Sequence, residues 1–309
     1  MHGKIDPVLP TLGQIGDFLL HLFQVKRLSV SAIKGYRSAL ASSLKFSTCK
    51  AKEIGSDPRL SAMVAFFERE RPVPRCVTPK WNLTCVLWSL TKPPYEPMAA
   101  ASLMNWTVKT AFLLAFATAK RSSEIHALSC ATDYMLLTKG SVTFHYMPGF
   151  FPKTEVHFQV PEPIVIPALP VPPSDSIVNR SLCPVRAVKN YMSITREFRN
   201  NRSRFFIPVK GSQDVARATV ARWIAIAVSR AYARLSSIDL KSYGISAHEV
   251  RALSTSWAFH NRSPLSSLME AAAWKSHDTF SRFYLRSMTA QSGDLLKLGP
   301  VVAAGRIIQ

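Results

Sequence analysis

With 309 residues, 47% hydrophobic and 19% charged, the chain is long enough for two folded domains and too apolar for a disordered or fibrous protein. Lys and Arg number 39 against 19 Asp and Glu, and the resulting +20 favours a dense polyanion such as nucleic acid, with a membrane surface or plain solvation as the alternatives on charge alone. Five scattered cysteines (Cys49, Cys76, Cys85, Cys130, Cys183) form neither a CxxC pair nor a Cys-His zinc spacing, which argues against a disulfide framework or zinc fold and predicts a reduced, intracellular setting.

Leu12, Ile15, Phe18, Leu19, Leu22 and Phe23 recur at helical spacing, and Val30, Ile33, Tyr36, Leu40 and Leu44 predict a second helix behind a Ser29 cap. A third starts at Ser56-Asp57-Pro58, a capping residue and a first-turn proline, with Leu60, Met63, Val64 and Phe67 inward. Arg71-Pro72-Val73-Pro74-Arg75 reads as an interdomain linker, since proline removes a donor and biases its predecessor away from helix. It divides the chain into 1–75 and 76–309. Beyond it, Asn82 is expected to cap a short helix to Leu90, and Asn105 a longer one whose inward face carries Val108, Ala111, Phe112, Ala115 and Phe116. Arg121 to Leu128 reads as a further helix. Tyr134 to Leu137, Val142 to Tyr146 and Glu155 to Val160 read as a small antiparallel sheet, and Pro161 to Ser174 as a loop. Helical pattern returns over Val185 to Phe198, Val215 to Leu235, Ala247 to Phe259, Leu265 to Ala273 and Thr279 to Ser287. The expected fold class is mainly α (α+β).

No solenoid repeat occurs, and neither a GxxxxGK[ST] nor a GxGxxG loop, so no nucleotide cofactor is expected. The start of the chain lacks a basic-then-apolar signal peptide. The most apolar run, Ala111 to Ala119, is flanked by Lys109 and Lys120, so no membrane span is expected.

The candidate chemistry lies in scattered polar residues. Breaking a phosphodiester needs charge stabilisation on the non-bridging oxygens, a nucleophile, and a proton for the leaving oxygen. Arginine suits the first need because its planar fork donates in pairs and stays charged. Arg121 opens a helix, with Glu124 one turn on to orient it. His248 and Arg251 stand three residues apart, on one helix face, where both reach a single phosphate. Each of these alone is cheap: a helical His or Arg is commonly a solvated or capping residue, and Tyr284 sits beside apolar Phe280 and Phe283.

Taken in order, an Arg-x-x-Glu helix, a hairpin bearing Lys153, a His-x-x-Arg helix, Trp274, and a tyrosine ten residues after it resemble the tyrosine recombinase (phage integrase) family. The wording Ala273-Trp274-Lys275-Ser276-His277-Asp278-Thr279-Phe280, then Phe283-Tyr284-Leu285-Arg286, is similar to recombinases of DIRS, Ngaro and Crypton mobile elements. Asp17-Phe18-Leu19 and Ile33-Lys34-Gly35-Tyr36-Arg37-Ser38-Ala39-Leu40 resemble that family's SAM-like helical core-binding domain.

The resemblance implies a DNA-clamping domain at 1–75, a mixed α/β catalytic domain at 76–309, and strand cleavage and rejoining for site-specific recombination or integration. Arg121 and Arg251 would hold the scissile phosphate while Tyr284 attacks it, giving a 3′-phosphotyrosyl link and a free 5′-hydroxyl. Lys153 would protonate the leaving oxygen, with Lys139 as the alternative, and His248 would take the phenol proton. Trp274 stands where the family has His or Trp. The family's usual Gly-His is missing, and Trp274 lies one residue further from the tyrosine than that His; His277 competes for the role but reads as an exposed helix start. A phenol with a free pKa near 10 needs positive neighbours or a base, which the two arginines and His248 supply. Neither metal nor ATP is expected.

The implied partners are double-stranded DNA and three further copies of the chain, a homotetramer on two DNA sites, in the nucleus or wherever genomic DNA lies. Lys26, Arg27, Lys34, Arg37 and Lys45, and further on Arg196, Arg199, Arg202 and Arg204, are candidate positive surfaces. The apolar tail from Leu295 to Gln309 would dock on a neighbouring subunit or fold back on its own domain. A catalytically silent DNA-binding protein of the same fold and a type IB topoisomerase are the competing readings.

Overall fold

The computed structural model describes residues 10–44, 55–72, 81–153, 161–169, 176–233 and 246–288. The chain divides into two compact units, Met1–Arg75 and Cys76–Gln309. The described residues are mainly helical, with one small three-stranded antiparallel sheet.

In the smaller unit, α1 (Leu12–Gln24), α2 (Val30–Leu44) and α3 (Pro58–Glu70) enclose one apolar cluster. Thr11 caps α1 by accepting from the Gln14 N–H at 3.2 Å while the Gln14 side chain returns the bond at 2.8 Å. Ser29 Oγ accepts from Ala32 N–H, and Asp57 caps α3 ahead of Pro58. Phe23 and Phe67 stack with centroids 4.1 Å apart, and the Arg71 guanidinium lies over Phe23. Two residues expected inside are outside: Phe18 and Tyr36 are 39% and 46% exposed and meet edge to face on the surface. The helical period admits them, but the three-helix core is filled by Leu19, Leu22 and Ile33.

The larger unit is built on α5 (Leu103–Thr118), whose residues from Trp106 to Thr118 are all buried. Its cap is Ser102 rather than Asn105: Ser102 Oγ accepts from the Asn105 N–H, starting the helix earlier than expected. Lys109, on this buried helix, is held by Glu96 at 2.5 Å and the Leu90 carbonyl at 2.9 Å; Arg186 reaches the same carboxylate at 2.7 Å. Around α5 pack α8 (Pro184–Thr195), α9 (Arg217–Tyr232) and α10 (Ala247–His260), with α4 (Leu83–Leu90) against α9; α7 (Ser176–Leu182) leads into α8.

The sheet has β2 (Ser141–Phe144) between β1 (Met135–Leu137) and β3 (Ile164–Pro167), all antiparallel. The third strand therefore lies where a proline-rich loop was expected, while Glu155 to Val160 falls outside the described residues. Ile164 and Ile166 alternate inward with Val165 outward, and β3 is bonded on one side within this sheet, where flanking prolines withhold no needed donor.

Arg199, expected on the surface, is 8% exposed and donates to the carbonyls of Arg204 and Phe205 and to Cys130 Sγ. Among the described residues no backbone N–H serves those carbonyls. No helix among the described residues is long and apolar enough to cross a membrane.

Candidate active site

Four segments of the larger unit meet around Tyr284. The first follows α5, which ends at Ala119 in the left-handed conformation, φ 52°. The chain then turns into α6 (Ser122–His126), a shorter helix than expected, whose N-cap is Arg121. Its first turn is closed by Glu124, whose carboxylate accepts the Arg121 N–H at 2.8 Å. The second segment is the start of α10, capped by Ser246, which carries His248 and Arg251 one turn apart.

The third is the end of α11 (Leu265–Ala271). Trp274 N–H donates to the Met269 carbonyl at 2.8 Å and Ala273 N–H to that of Glu270 at 2.9 Å, with Ala273 at φ 49°. This is a Schellman turn with alanine where glycine is usual, and it throws the Trp274 ring back toward α10. The fourth runs from the short helix α12 (His277–Thr279) into a π-helical turn, Phe280–Tyr284, closed by Leu285 N–H to the Phe280 carbonyl at 2.8 Å. Helix stops at Tyr284, earlier than the expected Ser287, because Leu285 is extended.

At the centre, Arg251 is 1% exposed. Its Nη1 lies 3.5 Å from Glu124 Oε2, and Arg121 Nη1 lies 3.5 Å from the same oxygen. Glu124 Oε1 accepts from the Tyr146 hydroxyl at 3.3 Å, and Arg251 Nη2 donates to the Ala272 carbonyl. One buried carboxylate thus stands between two guanidinium groups, leaving a local excess of positive charge. The Arg251 carbon Cζ is 5.1 Å from the Trp274 ring centre and 5.4 Å from that of Tyr284. Tyr284 is covered by Trp274 on one side, centroids 4.4 Å apart, and by His248, 4.8 Å away.

Several donors here lack a hydrogen bond. Arg251 Nε and Nη1, Arg121 Nη1 and Trp274 Nε1 are buried without a hydrogen bond, although the two Nη1 atoms keep their longer ionic contact with Glu124. Buried unpaired N–H groups are costly and uncommon in folded proteins, and these four atoms lie together around Tyr284.

Burial pushes the Arg251 pKa down to about 10, with the Arg121 charge acting the same way and Glu124 opposing; the group stays protonated at neutral pH. His248 is exposed, yet desolvation of the face packed against Tyr284, and then the Arg251 charge, lower its pKa from the ordinary 6.5. It is neutral at pH 7, the form that accepts a proton.

Six expected residues therefore come together: Arg121, Glu124, His248, Arg251, Trp274 and Tyr284. Lys153 does not join them among the described residues; it is exposed in a turn next to residues 154–160, which lie outside the description. Lys139 sits at the tip of the β1–β2 hairpin, its carbonyl accepting from Lys189 Nζ at 3.2 Å. His277 is exposed at its short helix start.

In the smaller unit Lys26 and Arg27 are exposed, Lys34 pairs with Glu68 at 2.6 Å, and Arg37 donates through Nη2 to Gly55 O and Ser61 Oγ. Lys45 lies outside the described residues. Tyr146 and Ser256 join the site without having been singled out by sequence; Glu249 and Arg286 stood inside the quoted motifs, yet their pairing is visible only once the two segments meet. Among the described residues no group of three or more His, Cys, Asp or Glu is placed to hold a metal ion. No protein-family model matches the chain, and no curated protein matches it.

Proposed function

We propose that this protein breaks and rejoins DNA strands through a covalent 3′-phosphotyrosyl intermediate, as a site-specific recombinase or integrase of a mobile element. The observation that carries the reading is the set of buried, unpartnered N–H donors of Arg251 and Trp274 beside the Tyr284 ring. A backbone phosphate entering there gives those donors their acceptor, and Arg121 at the rim adds a second guanidinium.

In the proposed reaction the Tyr284 hydroxyl oxygen attacks phosphorus and the bond from phosphorus to the 5′ oxygen breaks. The phenol proton passes to neutral His248. The leaving 5′ oxygen takes a proton from a lysine, for which Lys153 is the candidate by resemblance. Ester energy is kept in the protein–DNA bond, so rejoining is the same step reversed by another 5′-hydroxyl, without metal or ATP. The net charge of +20 supplies non-specific attraction to DNA, and assembly as a tetramer on two sites belongs to the same proposal.

The test uses nicked duplexes randomised around the nick, in which the short 5′ fragment diffuses away and traps the covalent product. Wild-type protein should yield a denaturant-resistant protein–DNA band. Tyr284→Phe should abolish it with DNA affinity retained. A band of equal intensity from the variant would remove Tyr284 as nucleophile.

A further inference from the structure

The chain leaving the π-helical turn is held by side chains at four successive carbonyls. Phe283 O accepts from Arg286 Nη1 at 3.0 Å, Tyr284 O from Ser256 Oγ at 2.9 Å, Leu285 O from Arg286 Nη1 at 3.5 Å, and Arg286 O lies 3.3 Å from His260 Nε2. Ser256 Oγ in turn accepts the Arg286 N–H at 2.8 Å, so one fully buried hydroxyl bridges both sides of Leu285. The Arg286 guanidinium grips Glu249 through Nε to Oε1 and Nη2 to Oε2, both 3.1 Å, with the two side chains 11% and 10% exposed.

Glu249 and Ser256 both belong to α10, the helix that carries His248 and Arg251. The anion-binding arginine and the anchor of the nucleophile's backbone are thus parts of one rigid element. A two-bond fork fixes orientation as well as distance. A π turn running into extended chain would otherwise leave its carbonyls to water and its side chains without a fixed direction.

We propose that Ser256 and the Glu249–Arg286 pair are positioning residues for Tyr284: they set its hydroxyl relative to the Arg251 N–H groups within a single chain, before DNA arrives. The proposal rests on the reading of Tyr284 as nucleophile. None of the three residues need touch the phosphate. Their loss therefore lowers the rate of strand cleavage and leaves DNA affinity unchanged, because misalignment of a reacting atom by about 1 Å costs on the order of 10²-fold in rate.

The experiment uses the full-length chain with Ser256→Ala, Ser256→Thr, Glu249→Gln, Glu249→Arg and the charge-reversed Glu249→Arg/Arg286→Glu. Three quantities are measured: covalent adduct rate on the nicked duplexes, DNA affinity, and the fluorine NMR spectrum of protein carrying 3-fluorotyrosine, with the Tyr284 resonance assigned by its loss in Tyr284→Phe. Ser256→Ala and Glu249→Gln should slow adduct formation by about 10²-fold at unchanged affinity. Ser256→Thr should restore most of the rate, and charge reversal should recover part of what Glu249→Arg loses. The Tyr284 resonance should shift or broaden in Ser256→Ala and return in Ser256→Thr. A wild-type rate and an unmoved resonance in Ser256→Ala overturn the proposal, as does equal impairment of the Ala and Thr variants. If wild-type protein forms no adduct on any duplex while the resonance moves and recovers as stated, positioning stands and the strand-transfer reading fails.

Discussion

Arg251 carries the electrostatic cost of the site. A guanidinium this deeply buried loses its hydration, and Glu124, shared with Arg121, returns only part of it at 3.5 Å. In the proposed reaction an incoming phosphate would complete that balance. Trp274 separates the two roles. Trp274→Phe keeps an aromatic ring against Tyr284 and removes the unpartnered indole N–H. Adduct formation should fall by about 10²-fold with little change in melting temperature; an unchanged rate would leave Trp274 as packing alone. His248 sets the pH response. Partial desolvation and the Arg251 charge depress its pKa, so the base form persists below the usual histidine range and is lost only on the acid side. The cleavage rate should be flat through neutral pH and fall with a midpoint below 6.5. His248→Gln should be slower and lack that acid limb; a midpoint above 6.5, or a limb that survives the substitution, would contradict the assignment.

Two elements place site residues with an alanine in left-handed backbone, Ala119 before Arg121 and Ala273 before Trp274. A β-carbon there costs about 1 kcal/mol, a strain that glycine avoids. Ala273→Gly should stabilise the protein by about 1 kcal/mol in denaturant melts; destabilisation would mean the turn is not under strain. The buried ion cluster under α5 makes a second test. Lys109→Met leaves Glu96 with Arg186 alone and should cost about 3 kcal/mol, whereas a neutral outcome would show the cluster dispensable.

These same elements show what the sequence makes legible. Apolar spacing alone marks α1, and with Asp57 and Asn82 as caps it marks α3 and α4, because local hydrogen bonds decide those boundaries. Ile164–Pro167 escapes, since prolines beside it signal loop while an edge position tolerates them. The early stop of the last helix depends on a π turn held by Ser256 from another helix, and the placing of Trp274 on a Schellman turn with no glycine to announce it. Residue identities therefore point to the chemistry, while the contacts that arrange them come from tertiary packing.

For the molecule as a whole, a net charge of +20 predicts affinity for DNA dominated by phosphate contacts. Binding should weaken by about 10³-fold between 50 and 200 mM salt if about six phosphates are neutralised; a flat response would remove nucleic acid as the main partner. With Lys34 paired to Glu68 on the surface and Arg37 Nη2 bonded to Gly55 and Ser61, the exposed Lys26 and Arg27 are the better candidates there for that contact. The most direct test of the central claim is to map the covalent bond itself. After incubation with nicked duplex, nuclease and protease digestion and peptide mass spectrometry should find a nucleotide 3′-phosphate esterified to Tyr284. A nucleotide on another residue, or none on any peptide under conditions where DNA is bound, would contradict the account.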